Sequence, residues 1–252
     1  MIGVFDSGVG GLSVLTEIRK SLPRADLTYV GDRARAPYGT RSLAEVESIS
    51  EEVAGWLVDR GATCLVVACN TASAAALESL RAGHPQLPIV GMEPAVKPAA
   101  LTTRSGKVAV LATAATFQGR LFESVVARFA DGVRVVTRAC PEWVQLVEEG
   151  VVDGPRAETS VRAVVEPLAV EGVDVIVLAC THFSYLKPLI ETLTEIAVLD
   201  PAPAVAAQTK RVAPNPEGAG RLTLAASGDL GAFRRLASSL ASIDAPVIPF
   251  DP

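Results

Sequence analysis

Short apolar runs alternate with amphipathic stretches from one end of the chain to the other. The runs are Ile2–Asp6, Leu27–Val30, Cys64–Ala68, Ile89–Met92, Val108–Ala112, Val133–Thr137, Val173–Ala179, Ala197–Leu199 and Leu222–Ala226. Most are rich in β-branched residues and apolar throughout, as expected of parallel strands covered on both faces. Between the runs the apolar spacing changes to three and four. Leu43, Val46, Ile49, Val53, Trp56 and Leu57 form one such stripe, with Ser42 and Glu45 placed as a capping box ahead of it and Gly61 closing it. Strand–helix–strand alternation predicts an α/β fold with mainly parallel sheets.

The pattern also repeats. Gly61-Ala-Thr-Cys-Leu-Val-Val-Ala-Cys69-Asn70-Thr71 resembles Gly172-Val-Asp-Val-Ile-Val-Leu-Ala-Cys180-Thr181-His182, and in both the cysteine stands 8 residues after the glycine. A weaker echo pairs Ile2–Ser7 with Val108–Thr113. Halves built alike predict two pseudo-symmetric α/β lobes. The first takes 1–94 plus about 205–252 and the second about 95–204. Pro94 and Pro98 mark the outward crossing, Pro201 and Pro203 the return. The tail reads as one strand and one helix (Ala232–Leu240), and Arg211–Gly220 as a surface loop.

A chain of 252 residues is long enough for two compact domains. With 49% hydrophobic and 20% charged residues it has the composition of a globular protein. A net charge of −5 with no basic run argues against nucleic acid as the main ligand. Met1 leads straight into a strand-like run instead of a signal peptide, and no apolar stretch is long enough to span a bilayer, so a cytoplasmic protein is expected. In that setting Cys64, Cys69, Cys140 and Cys180 are not a disulfide framework. Cys64 and Cys140 read as small buried residues.

Cys69 and Cys180 are different, because each ends a strand just before a helix. Ligands of parallel α/β sheets bind beyond such strand ends, and a helix N-terminus favours a thiolate. With the lobes facing each other, the two thiols would flank a cleft, as a two-base racemase requires. Either cysteine alone is equally a core residue; the matched pair favours chemistry. Asp6-Ser7-Gly8-Val9-Gly10-Gly11 follows the first strand, and its glycines would let the backbone approach a ligand. The spacings of phosphate and dinucleotide loops are absent. Asp6 reads either as a helix cap or as a carboxylate steering proton transfer. His182 could hold Cys180 as thiolate or merely start a helix. Cys69, Cys180, His182 and Asp6 also have the residue types of a zinc set, without its compact spacing.

Several separated segments are similar to those of the aspartate/glutamate racemase family. They are Gly3-Val-Phe-Asp6-Ser7-Gly-Val-Gly-Gly-Leu-Ser, Tyr29-Val-Gly-Asp32 with Pro37-Tyr38-Gly39, Ala68-Cys69-Asn70-Thr71-Ala-Ser, Leu146-Val-Glu148 with Gly150, and Cys180-Thr181-His182. The resemblance implies two α/β lobes with the active site between them, and glutamate racemisation without cofactor or metal. It implies Cys69 and Cys180 as the acid/base pair, Asp6 supporting the first, and His182 and Glu148 the second. It implies substrate contacts from Asp6, Ser7, Tyr38, Gly39, Asn70, Thr71, Thr116, Thr181 and His182. Bland alternatives stand beside these: Tyr38-Gly39 as a turn, Asn70 and Thr71 as helix caps, Glu148 as a solvated surface residue. The product, D-glutamate, would feed peptidoglycan. Family members are commonly homodimers, and some are reported to inhibit DNA gyrase, although no residue here points to such a surface. This chain departs from the family at Arg33, where a small polar residue is common, at Ala179, where glycine is usual, and at Phe183-Ser184, where Tyr-Pro is usual.

Overall fold

The structure is a computed structural model that describes residues 1–251; Pro252, the last residue of the tail assigned to the first lobe, lies outside them. The described residues form strands β1 (Ile2–Asp6), β2 (Leu27–Gly31), β3 (Cys64–Val67), β4 (Ile89–Gly91), β5 (Lys107–Ala112), β6 (Arg134–Ala139), β7 (Val175–Ala179), β8 (Ala197–Leu199), β9 (Leu222–Ala226) and β10 (Val247–Pro249). They make two sheets, ordered β10-β9-β2-β1-β3-β4 and β6-β5-β7-β8. Every pairing is parallel. The central strands β1, β3 and β7 are buried at every position, because helices cover both faces of each sheet. Among the described residues no helix is long and apolar enough to cross a membrane.

The sheets share one plan. The order β2-β1-β3-β4 in the first is repeated by β6-β5-β7-β8 in the second. The sequence repeat supplies the matching strands β3 and β7, each entered in the same way. Helix Leu43–Asp59 carries the Ser42–Glu45 capping box at its start. At its end Gly61 takes φ 85°, Gly61 N–H donates to Val58 O and Ala62 N–H to Leu57 O. Helix Gly154–Val170 ends alike: Gly172 takes φ 77°, Gly172 N–H donates to Ala169 O and Val173 N–H to Leu168 O. Both are Schellman motifs, in which a glycine in the left-handed region reverses the chain and aims it into the sheet.

Three local expectations need correction. The tail holds two strands, not one: β9 pairs with β2, and β10 pairs with β9 at the sheet edge. β10 follows Pro246 and ends in Pro249, which an edge tolerates because a missing N–H there costs little pairing. The expected loop at Arg211–Gly220 gives its first two residues to helix Ala202–Val212. Pro98 does not break the chain's pattern; it sits in the first turn of helix Val96–Thr102, where its missing N–H has no helical partner to lose.

Candidate active site

β1 and β3 are neighbours in one sheet, β5 and β7 in the other, and these pairs are the switch points where a doubly wound sheet opens a crevice. Their carboxyl ends carry Ser7, Cys69, Thr113 and Cys180 into one small enclosed cavity. Tyr38, Gly39, Asn70, Thr71, Thr181 and His182 complete most of its wall, with Pro37 and Val144. Its volume is about 20 Å³, little more than one water needs. A wider cleft of about 930 Å³ opens beside it, lined in part by Arg33, Gly39, Arg41, Thr113, Val144 and Glu148. Pro37, Gly39, Thr113 and Val144 border both spaces and form the partition between them.

Cys69 is the N-cap of helix Asn70–Gly83, and its Sγ accepts from Ala72 N–H at 3.5 Å. Ser7 Oγ lies 4.0 Å from the same sulfur. The expectation that a helix start favours the thiolate is reversed here. Burial first, then the neighbouring Asp6, push the Cys69 thiol upward, and the amide of Ala72 does not offset them. Asp6 does not line the cavity. It is wholly buried behind the wall, accepting from Gly8 N–H at 2.8 Å and from Thr181 Oγ1 at 2.9 Å. Its burial raises the carboxyl above the ordinary value, against the His182 charge and those two bonds.

Cys180 precedes a 3₁₀ turn, Thr181–Tyr185, and not the α-helix expected. The turn brings His182 Nδ1 to 3.8 Å from Cys180 Sγ, while His182 Nε2 stands 2.8 Å from Glu148 Oε1. Burial alone would discharge the imidazole, yet the bonds to Cys180 and Glu148 outweigh it and hold the ring protonated well above its usual range. Both ring nitrogens then donate.

Glu148 is the last residue of helix Pro141–Glu148, a place where the helix dipole disfavours an acid. Three donors compensate. Val9 N–H and His182 Nε2 reach Oε1, each at 2.8 Å, and Arg33 Nε reaches Oε2 at 2.9 Å. Burial would raise the Glu148 carboxyl, but His182, Val9 and Arg33 bring it down to about 2. The adjacent Glu149 is solvent-facing and pairs with Arg156.

The glycine-rich turn after β1 packs closely against the other lobe. A Cβ at Gly8 would stand 1.9 Å from Glu148 Oε1, one at Gly10 2.4 Å from His182 Nδ1, and one at Gly11 2.6 Å from Asp6 Cβ. Gly8 and Gly10 are therefore bare to let the first lobe close on the second.

Thr71, Thr113 and Thr116 form a hydroxyl triangle across the lobes, with edges of 2.9, 3.3 and 3.0 Å. Thr116 reaches the cavity only through this triangle. Thr113 was not singled out from sequence, although the echo of Ser7 at its position was the available signal. Asn70 is buried, and neither its Nδ2 nor its Oδ1 finds a partner among the described residues. It is therefore no mere cap of the helix that it begins. Tyr38, more than a turn residue, is buried and donates its hydroxyl to Asp32 Oδ2 at 2.6 Å. Among the described residues no three or more His, Cys, Asp and Glu side chains group so as to hold a metal ion, so the zinc set considered from sequence is not assembled.

Residues 2–209 match the family described as Asp/Glu/Hydantoin racemase. A glutamate racemase of Roseiflexus sp. is 50% identical over 213 residues, covering 84% of this chain and 78% of that protein. The crystal structure of a glutamate racemase isoform from Bacillus anthracis superposes with a TM-score of 0.90 at 30% identity, covering 100% of this chain and 97% of that one. The Escherichia coli glutamate racemase in complex with L-glutamate and an activator superposes with a TM-score of 0.88 at 30% identity, covering 98% of this chain and 96% of that one.

Proposed function

The chain belongs to the Asp/Glu/Hydantoin racemase family, and from that premise we propose that it interconverts L- and D-glutamate by direct proton transfer between Cys69 and Cys180. The observation that carries this reading is the pair of thiols, at equivalent strand ends of two like-built sheets, lining one cavity. In one direction a thiolate takes the α-proton from one face, and the opposing thiol gives its proton to the other face. The two sulfurs exchange roles, and nothing else is consumed. The chain's own residues suffice for this chemistry without a cofactor. The choice of glutamate rests on the relatives named for it and on the L-glutamate bound by the Escherichia coli enzyme.

The carbanion needs fixed donors around the α-carboxylate in a site closed to water. Ser7, Tyr38, Asn70, Thr71, Thr181 and the Gly39 backbone supply the wall, with Thr116 acting through Thr71 and Thr113. Asn70 supports this use, because a carboxylate and an ammonium would satisfy the amide left unpaired among the described residues. Asp6 supports the Cys69 side from behind Thr181, and the His182–Glu148 pair supports the Cys180 side. The cavity is too small for glutamate as it stands, so the lobes part to admit it. D-glutamate made here would enter peptidoglycan synthesis.

The test is to incubate the protein with L-glutamate in D₂O, with a chelator and no added cofactor. Optical rotation and the α-proton signal are followed together. Loss of both is expected, and Cys69→Ala and Cys180→Ala should each lower turnover by about three orders of magnitude or more. Full racemisation by either variant overturns the mechanism, and inert L-glutamate with active L-aspartate overturns the substrate.

A further inference from the structure

The structure puts Arg33 at the seam between the lobes. It opens the 3₁₀ turn Arg33–Arg35, directly after β2. That turn is firmly pinned. Asp32 N–H donates to Asp6 O at 3.0 Å, Ala34 N–H donates to Ser227 Oγ at 2.8 Å, and Ser227 Oγ donates to the wholly buried Asp32 at 2.7 Å. From there Arg33 Nε reaches Glu148 Oε2, with both side chains more than four-fifths buried. Arg33 is the bonding partner of Oε2, whereas Oε1 is shared by Val9 N–H and His182 Nε2.

Resting on the racemase reading above, we propose that Arg33 is a positioning residue, which acts through Glu148 to set how firmly His182 holds its proton beside Cys180. Glu148 is the anion that His182 leans on. A cation on its other oxygen fixes the carboxylate plane and draws off part of its field. Without Arg33 the full negative charge faces His182, whose proton becomes harder to move. Lone removal of a cation near His182 acts in the same direction. The other ionisable groups around this pair are Asp6, Cys180, Tyr29 and Tyr185, and Asp229 faces Arg33 from the far side. Arg41 and Glu142 line the same cleft and Arg235 lies beside Asp229, but neither cation bonds Glu148, so neither stands in for the guanidinium. Because Arg33 and Glu148 also line the wide cleft, solvent reaches the ion pair and screens it only in part.

The experiment uses Arg33→Gln and Arg33→Lys in the full chain. The chain has 2 histidines, so imidazole NMR can follow His182 directly, with His84→Gln to assign the second signal. In Arg33→Gln the His182 titration should move up by about one pH unit, and kcat/KM should fall about tenfold with its pH limb displaced the same way. KM should change little, because Arg33 does not reach the small cavity. Arg33→Lys should recover most of the titration and part of the rate, since it keeps the charge but loses the planar fork. A merely structural Arg33 would lower Tm and leave both the His182 titration and the pH limb in place, and that outcome overturns the proposal. A wild-type chain that exchanges no α-proton overturns the racemase reading instead, and the His182 titration then judges the electrostatic link by itself.

Discussion

At the scale of single residues, sequence separated some neighbours and could not separate others. Cys69 and Cys180 were legible because a repeat marked them, at the same offset from glycines that the structure shows in matching turns. Glu148 and Glu149 are adjacent carboxylates with no local difference. Only the contact with Val9, Arg33 and His182 from elsewhere in the chain tells them apart. Asn70 was legible as a polar residue beside a cysteine, but its missing partners are a property of three dimensions. They also set a prediction. An unpartnered buried amide costs about 1–3 kcal/mol. Asn70→Leu, close in shape, should leave the empty protein as stable or raise its Tm, while raising KM for glutamate at least tenfold. Thermal unfolding with and without D-glutamate measures both. A lower Tm with unchanged KM would show that Asn70 serves the fold and not the ligand.

At the scale of elements, the strands were legible from continuous apolar runs, with ends that match or fall within two residues. β10 was missed because its three residues lie among prolines at an edge, where pairing with β9 creates a strand that its own sequence does not announce. The glycine-rich turn was found, but not the lobe that it packs against. Its composition says that backbone must come close to something; the partner proves to be the other lobe. Gly8→Ala should therefore act across the seam. With its Cβ set 1.9 Å from Glu148 Oε1, the carboxylate must leave Val9 or His182. A loss of about 1–3 kcal/mol by urea unfolding is expected, together with a fall in kcat of at least tenfold. Gly55→Ala, inside helix Leu43–Asp59 where a Cβ meets nothing within 4 Å, is the control: it should leave kcat unchanged and lose no stability, gaining up to about 1 kcal/mol from helix propensity. Equal behaviour of the two variants would refute the assignment.

At the scale of the molecule, the two lobes were legible as a repeat, but how they meet was not, because the groups that join them lie far apart in sequence. The Glu148 centre makes that joint sensitive to acid. Its carboxyl sits at about 2, below the ordinary 4.5, so the stability it contributes is complete above about pH 4.5 and is lost as pH falls toward 2. The shift corresponds to at most about 3 kcal/mol. His182 runs the other way: its contribution is complete below its ordinary 6.5 and is lost only as pH rises through its elevated folded value. The stability gap between the wild type and Glu148→Gln should be largest near pH 5, where both contributions are complete, and shrink below pH 4.5. Urea unfolding at stepped pH measures it, and a gap that stays flat to pH 3 would count against the joint.

The tightness of the thiol cavity has a consequence for how turnovers follow one another. On the proposed transfer, the sulfur that began as thiolate ends as thiol, and its partner ends as thiolate. A space of about 20 Å³ leaves no room for a chain of solvent molecules to reset them while the lobes are shut. Each turnover therefore ends, with the product still enclosed, in a state primed for the reverse conversion, and that state lasts until the seam opens to release the product and water can reset the sulfurs.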